Sequence, residues 1–276
     1  MNSGRVSARG IPILRTPLYR LPLLAKMLIP FIALTVAVGV FGVLFVTRDL
    51  STRAEDALGD DLSRRVVEAR SFLHERELYA LESANYAANL TGMAAAIRAR
   101  DQAAVGRLLG SVLALKGELT LTVATGLDGI GIAELRSAGS ARPVVGRGGQ
   151  WREHPFVAEA LRSSSGDRTA GTITGAPAPM LAVAAPVCAG TKACQPVGVA
   201  IVGIPAASLL SAGSPGSTST ASEGRALFNT SGATLTSQGI AIPPPAGSGA
   251  IRQTIQSGGR QVAAMYAPFS LRGRAA

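Results

Sequence analysis

The chain has 276 residues and a formal net charge of +10, and 47% of it is hydrophobic although only 4% is aromatic. Much of the positive charge stands before the first apolar run and has no acidic residue with it; these residues are Arg5, Arg9, Arg15, Arg20 and Lys26. Basic residues beside a spanning helix stay cytoplasmic and are attracted to anionic headgroups. This local cause of the charge argues against nucleic acid as a partner, although a basic chain as such can bind it.

The apolar run itself, Met27 to Val46, contains no charged residue. About 20 apolar residues in a helix cross a bilayer core, so this run just spans. The competing interpretation is a cleaved signal peptide, whose apolar region is about 7–15 residues long and ends at a small-x-small site. Because this run is longer and ends without that site, we predict an uncleaved transmembrane helix over 27–47. The flank then places a basic tail, 1–26, in the cytoplasm and residues 48–276 outside it.

A second helical pattern follows directly, from Leu50 to Ala88. Its apolar positions recur at spacings of three, four or seven residues, which makes a narrow stripe of heptad type. The stripe consists of Leu58, Leu62, Val66, Ala69, Leu73, Ala80, Ala84 and Ala87. Either this helix packs on its own domain, or its first part pairs with a second copy of the chain to form a homodimer.

Past an interruption at Asn89–Gly92, Asp101 is a predicted N-cap for a helix over Gln102–Leu115. The period then changes to that of strands. Four strand candidates follow: Leu119–Val123, Ile132–Arg136, Thr169–Val187 and Val197–Ile204. A turn over 126–129 separates the first two candidates. A Gly- and Arg-rich loop reaching residue 150 and a predicted short helix over 154–161 separate the second from the third.

The remainder divides at a Ser-, Gly- and Thr-rich segment, 211–222, which is typical of a linker. Beyond it, 223–276 is predicted to contain a hairpin with its turn at Ser231–Gly232. Two more strands are predicted at Gln253–Ile255 and Gln261–Ala267.

Cys188 and Cys194 are the two cysteines of the chain, and both lie between two strand candidates. Outside the cytoplasm a disulfide is the default state of such a pair. We therefore predict a bridge that stiffens a hairpin tip, with two free thiols as the alternative.

No catalytic or cofactor-binding motif is found in the sequence. His74-Glu-Arg-Glu77 lacks the second histidine that a zinc helix needs, and no nucleophile elbow or phosphate-binding loop occurs. We expect no catalytic residue, no metal and no cofactor, so an enzyme is the least favoured class.

Taken in order, three segments carry a resemblance to a known family: Trp151–Leu161, Met180–Val187 and Val197–Gly203. They resemble the Cache (PAS-like) extracytoplasmic sensor region of bacterial transmembrane receptors. The resemblance implies an α+β fold in which a transmembrane helix continues into a long helix, followed by a PAS-like antiparallel sheet module over 48–210. It further implies a partial second module over 223–276, in a receptor that breaks off before its second spanning helix and before any catalytic output domain.

The resemblance also implies a small-molecule pocket on one face of the sheet. By position, Trp151, Arg152 and His154 would lie near it, with Arg136 as a second cation, and a guanidinium suits a carboxylate. Alternatively, Trp151 only packs the short helix on the sheet and Arg152 is solvated. The resemblance implies that members of the family that bind amino acids hold the ammonium group with an Asp after the short helix. No Asp or Glu occurs over 169–222, so an α-amino acid is poorly supported and an anion, or no ligand, fits better.

The function these observations favour is that of the sensory part of a single- or double-pass receptor, which passes its ligand state through the long helix to the membrane. A membrane-anchored envelope protein with a structural or protein-binding role is the alternative from a different class.

Overall fold

The computed structural model describes residues 23–137, 144–146, 149–163, 165–174, 178–190, 194–211, 224–228, 233–245, 247, 250–257 and 259–271, with the backbone alone at 23–27, 144–146, 211 and 260. The helices are α1 (Leu23–Ala88), α2 (Met93–Ala99), α3 (Gln102–Leu115), α4 (Pro155–Arg162) and α5 (Ser208–Ser211). The first strands are β1 (Leu121–Gly126), β2 (Gly131–Arg136), β3 (Val144–Gly146), β4 (Thr169–Ile173), β5 (Met180–Cys188) and β6 (Pro196–Pro205). Four further strands are β7 (Gly224–Phe228), β8 (Thr234–Gly239), β9 (Ile251–Ser257) and β10 (Arg260–Tyr266). The chain forms two compact units, divided within α1 between Asp60 and Asp61.

The first unit contains the apolar part of α1, which is long and apolar enough to cross a membrane and is not buried within the protein. The two threonines of the segment 27–47 donate their hydroxyl groups to carbonyls of the same helix, Thr35 to Phe31 at 2.8 Å and Thr47 to Val43 at 2.7 Å. In hydrocarbon each polar group needs such an internal partner. Helix α1 begins at Leu23, and Pro30 lies inside it.

In the second unit, the later part of α1 packs on the sheet through small side chains. Ala80, Ala84 and Ala87 are fully buried, whereas Leu58 in the first part of the same stripe is exposed. The interpretation that the helix packs on its own domain therefore holds from Leu73 onward.

Within the described residues, six strands form one antiparallel sheet in the order β3-β2-β1-β6-β5-β4. The predicted α+β fold, a long apolar N-terminal helix followed by an antiparallel sheet, is confirmed. Side chains alternate between the two faces of a strand, and both faces of this sheet are buried. Helices α1, α2 and α3 cover one face with a helix-side cluster of apolar residues. The other face carries a second cluster, here called the α4-side cluster.

The α4-side cluster joins residues of three central strands to α4 and the segment before it. Its members are Leu121, Val123, Trp151, Phe156, Val157, Ala160, Met180, Ala182, Ala184, Val199 and Ile201. In β5 the alternation is regular, since Ala182 and Ala184 belong to this cluster while Val183 and Ala185 belong to the helix-side cluster.

Three sequence predictions need correction in the sheet. The single strand predicted over Thr169–Val187 is wrong: it is two strands, β4 and β5, paired antiparallel. Pro177 and Pro179 stand between them, and proline cannot donate to a ladder. Strand β3 lies in the segment predicted as loop. The strand predicted over Leu119–Val123 is β1, which begins at Leu121, ends at Gly126 and is buried on both faces.

The helix ends follow capping chemistry. Asp101 accepts a hydrogen bond from the Ala104 amide at 3.0 Å, which confirms the predicted N-cap of α3. The preceding helix, α2, was not predicted; it starts after Gly92, whose φ of 88° is in the left-handed region that glycine tolerates.

Strands β7 to β10 form two antiparallel hairpins. The predicted turn at Ser231–Gly232 lies outside the described residues, as does most of the 211–222 linker. Tyr266 donates to the Pro243 carbonyl at 2.8 Å and packs with Phe228. Arg70 of α1 donates to the Pro268 carbonyl at 2.8 Å, so the chain after β10 is attached to α1.

Candidate functional site

Trp151 is fixed beneath the turn that joins β1 to β2. Its amide donates to the Gly129 carbonyl at 2.9 Å, and the side chain is only 5% exposed. Gly129 has a φ of 75°, and a Cβ there would stand 2.4 Å from the Cβ of Arg152. The close approach of the two backbones therefore requires glycine at 129, and it directs the Trp151 ring into the α4-side cluster.

His154 and Phe156 continue the row of rings from Trp151. The ring centroids of Trp151 and His154 are 5.4 Å apart, and those of His154 and Phe156 are 5.7 Å apart. His154 is the N-cap of α4 and Pro155 is in its first turn, an arrangement that suits the missing N–H of proline. Beyond this row, Phe156 packs against Gly171 of β4.

Arg136 lies on the same face of the sheet as Trp151. It stands opposite Leu121 of β1, and Glu134 stands opposite Val123, two members of the α4-side cluster. The Arg136 guanidinium donates from Nε to Oε1 of Glu134 at 2.6 Å, and the Glu134 side chain is only 13% exposed. The cation predicted at this face therefore has a carboxylate as its neighbour.

Arg152 is exposed, so it does not point into the α4-side cluster with Trp151. Of the four predicted site residues, the structure brings Trp151 and His154 together as neighbouring rings and puts Arg136 on the same sheet face. The alternative, in which Trp151 packs the short helix on the sheet and Arg152 is solvated, describes the observed contacts.

Two residues of this face were missed in the sequence. Glu134 could have been found, because period two puts it on the same side of β2 as Arg136. Thr125 of β1 pairs with Val199 of β6, a member of the α4-side cluster, and its side chain is fully buried. No motif in the sequence marks Thr125, since it is one of three threonines in the segment Leu119 to Thr125.

The β1–β2 turn beside Trp151 is braced by an ion pair between Arg100 and Asp128. Partial burial acts to raise the pKa of Asp128, but the Ile130 amide at 3.1 Å and the Arg100 guanidinium together outweigh it and lower that pKa below 3.8. The acid is therefore held charged, and the turn that positions Trp151 is fixed at neutral pH.

The β5–β6 hairpin ends near the same turn, because Gly126 of β1 pairs with Gly198 of β6. Cys188 and Cys194 form a disulfide across its tip, as predicted. Just beyond the bridge, the Ala189 amide donates to the Gln195 carbonyl at 3.0 Å. The bridge thus closes a hairpin whose arms are the two longest strands of the sheet.

No protein-family model matches the chain, and no curated protein matches it in sequence. Among solved structures, the fold is similar to one described as methyl-accepting chemotaxis protein X, at 19% identity and a TM-score of 0.58, over 80% of this chain and 94% of that one. This likeness shows a shared fold, as the resemblance to receptor sensor regions predicted.

Two further structures are similar at lower scores. One is a domain of a sensory box/GGDEF family protein from Vibrio parahaemolyticus, with 9% identity, a TM-score of 0.44 and 53% of this chain covered. The other is the ligand-binding domain of the Campylobacter jejuni chemoreceptor Tlp3 in complex with 4-methylisoleucine, with 15% identity, a TM-score of 0.39 and 54% covered. The chain spans 59% of the length of each.

Proposed function

We propose that this chain is the extracytoplasmic small-molecule sensor part of a membrane signal-transduction receptor. The observation that carries the proposal is one antiparallel sheet, covered on one face by a helix whose N-terminal part can span a membrane. The same fold over most of the chain in a chemotaxis protein supports it. A ligand-binding role for the sheet is consistent with its second face, which is covered by a loop and the short helix α4.

The proposed topology has residues 1–26 in the cytoplasm, 27–47 in the membrane and 48–276 outside. The basic residues before the span support this orientation. The disulfide between Cys188 and Cys194 supports it independently, because such bridges persist in oxidising compartments.

The proposed ligand site is the α4-side face, with Trp151 and His154 under its cover and Arg136 at its edge. An anion at this site would be held by Arg136 or, after a change of rotamer, by Arg152. The pairing of Arg136 with Glu134 at 2.6 Å weighs against a strongly anionic ligand, since the carboxylate would repel it.

The ligand state is proposed to reach the membrane through α1, in a homodimer formed by the first part of that helix. The exposed Leu58 and the half-exposed Leu62 and Val66 of the stripe support pairing there. From Leu73 onward the same stripe is buried on the sheet. One helix would therefore contact the sensor module and a second copy of itself in successive segments.

A thermal-shift screen of the full chain in detergent tests the ligand-binding proposal. Pools of organic acids, amines and uncharged metabolites are compared, because a ligand that binds only the folded state raises the unfolding temperature. We expect at least one pool to stabilise the chain. The same pool should have a smaller effect on Trp151→Ala, whereas Glu159→Ala, on the exposed side of α4, should respond like the unmodified chain. If every pool leaves the unfolding temperature unchanged, the sensor proposal is wrong.

A further inference from the structure

Two buried polar groups on the α4-side face have no hydrogen-bond partner among the described residues. They are Nε1 of Trp151, in a side chain 5% exposed, and Oγ1 of Thr125, in a side chain that is fully buried. An unpaired buried N–H or O–H costs more free energy than a typical hydrogen bond contributes. Native proteins therefore pair nearly all such groups with protein, water or a ligand.

Both groups belong to one place on the sheet. Thr125 is at the end of β1 and pairs with Val199, which is in the same cluster as Trp151. The turn that starts directly after Thr125 accepts the Trp151 amide at Gly129. Thr125 and Trp151 thus lie on the same face at the end of β1, Thr125 in the sheet and Trp151 in the loop that covers it.

The chemistry of these two groups selects a ligand class. An indole nitrogen only donates, so its partner must offer an acceptor, whereas a threonine hydroxyl can donate or accept. The surrounding cluster members Val123, Val199 and Ile201 are apolar. An ion is costly to bury among such side chains unless an opposite charge pairs with it.

The charged residues of the neighbouring strand pair with each other. Register places Glu134 and Arg136 of β2 on this face, and their side chains are 2.6 Å apart. The neutral groups of Trp151 and Thr125 are therefore buried beneath α4 and the loop before it. The ion pair between Arg136 and Glu134 lies on the same face of the sheet.

We propose that Trp151 and Thr125 together bind the uncharged polar end of a small ligand, such as a carboxamide, carbonyl or hydroxyl group on an apolar body. This inference rests on the proposed sensor function and names the ligand class of the same site. The indole N–H of Trp151 donates a hydrogen bond to the acceptor of the ligand, and the Thr125 hydroxyl makes a second hydrogen bond to the same polar end. Charged acids and amines of the same shape are rejected because burying their charge among Val123, Val199 and Ile201 is costly.

The chain offers a direct probe, because Trp151 is its single tryptophan. In full-length protein with ¹⁵N-labelled indole, one Nε1–H resonance reports the hydrogen bond. The protein in detergent is titrated with butyramide, butyrate and butylammonium, which share an apolar chain and differ in charge, and then with pools of neutral, acidic and basic metabolites. We expect butyramide and the neutral pool to shift the resonance, and the charged compounds to leave it in place.

A matched pair of variants tests the role of the hydroxyl. Thr125→Val removes Oγ1 at nearly constant volume and should weaken the response to the neutral compounds about tenfold. Thr122→Val is the control, because Thr122 is equally buried on the same strand and its hydroxyl also lacks a described partner, but it faces the helix-side cluster. It should bind like the unmodified chain.

Three results would overturn the proposal. The indole resonance could respond to acids or amines alone, in which case the site still senses but takes ions. It could respond to no compound and show exchange with a buried water, which would make water the partner of Trp151. Equal loss of binding in Thr125→Val and Thr122→Val would show that the hydroxyl acts only through stability. The thermal-shift screen separates these cases from failure of the sensor function, which requires that no pool stabilises the chain.

Discussion

Gly198 of β6 shows how closely single residues constrain the sheet. A Cβ at this position would stand 2.0 Å from the Thr125 carbonyl oxygen and 3.0 Å from a methyl of Ile97. The first contact is with backbone, so a rotamer change cannot relieve it. We expect Gly198→Ala to destabilise the fold by about 3 kcal/mol, measured by thermal unfolding. Gly190→Ala, at the hairpin tip with open space around it, is the control, and equal melting of the two variants would contradict this packing.

Asp128 gives the β1–β2 turn a defined pH dependence. Its pKa in the folded protein lies below the ordinary value of 3.8, because the Ile130 amide and Arg100 outweigh the effect of burial. The stability that it contributes is therefore complete above about pH 4 and is lost as the pH falls through the lower folded-state pKa. Asp128→Asn should flatten the acid limb of the curve of unfolding temperature against pH.

The control for that experiment is Glu159→Gln, which removes one exposed carboxylate of α4. Curves for Asp128→Asn and the unmodified chain that coincide above pH 4, where the contribution of the charge is complete, would show that the turn does not depend on this charge. The change is expected to be small, because the Arg100 side chain is 63% exposed and solvent screens the pair.

Part of the site could be predicted from residue patterns and part could not. Trp151 and His154 could be placed because they precede a short helix with a proline in its first turn. Arg152 is exposed, and this could not be predicted, since a loop residue has no periodicity to give its direction. Glu134 was overlooked because its strand was interpreted by its apolar residues. Thr125 could not be identified, because its role depends on a partner strand 74 residues later.

At the scale of elements, α1 contacts the module through alanines. Ala84 is fully buried in the helix-side cluster, so a larger side chain there must displace α1 or the neighbouring elements. Ala84→Leu should cost about 1–3 kcal/mol. Ala69→Leu makes the same substitution at an exposed position of the same helix and should be close to neutral. If calorimetric unfolding shows the same change for both, α1 does not pack as described.

The disulfide between Cys188 and Cys194 stabilises the β5–β6 hairpin. Replacing both Cys188 and Cys194 by serine should lower the free energy of unfolding, because the bridge restricts the unfolded chain. The expected loss is only about 2 kcal/mol, since the closed loop is short. Reductant should have the same effect on the unmodified protein. It should have none on the double variant, since the chain contains no other cysteine. Destabilisation of the double variant by reductant would show an effect unrelated to the bridge.

Elements with strong periodicity were predicted and short ones were not. Helix α3 was placed at its observed bounds by its N-cap and its period. Strand β3 has three residues and α2 has seven, which is too short for a periodic pattern to stand out. The division of β4 from β5 needed the tertiary pairing, because apolar residues continue on both sides of the prolines.

At the scale of the whole molecule, the part of α1 that can span a membrane continues into the part that packs in the module of the antiparallel sheet. The proposed function requires that the two parts of α1 act together. The stripe supports this, because Leu58 is exposed and Leu62 and Val66 are only half-buried in a single copy of the chain. They are therefore the positions at which a second copy would pack.

Cysteine cross-linking in membranes tests whether the first part of α1 pairs with a second copy and responds to ligand. The full chain is prepared with Leu58→Cys, Leu62→Cys or Val66→Cys, each singly, and with Asp60→Cys as the control on the opposite side of the helix. Oxidation rates are measured with and without the metabolite pool that gives the largest thermal shift. We expect rapid dimer formation at the stripe positions, slow formation at residue 60, and a severalfold change in rate at the stripe when that pool is added. Equal cross-linking at all four positions, or rates that the pool leaves unchanged, would contradict it.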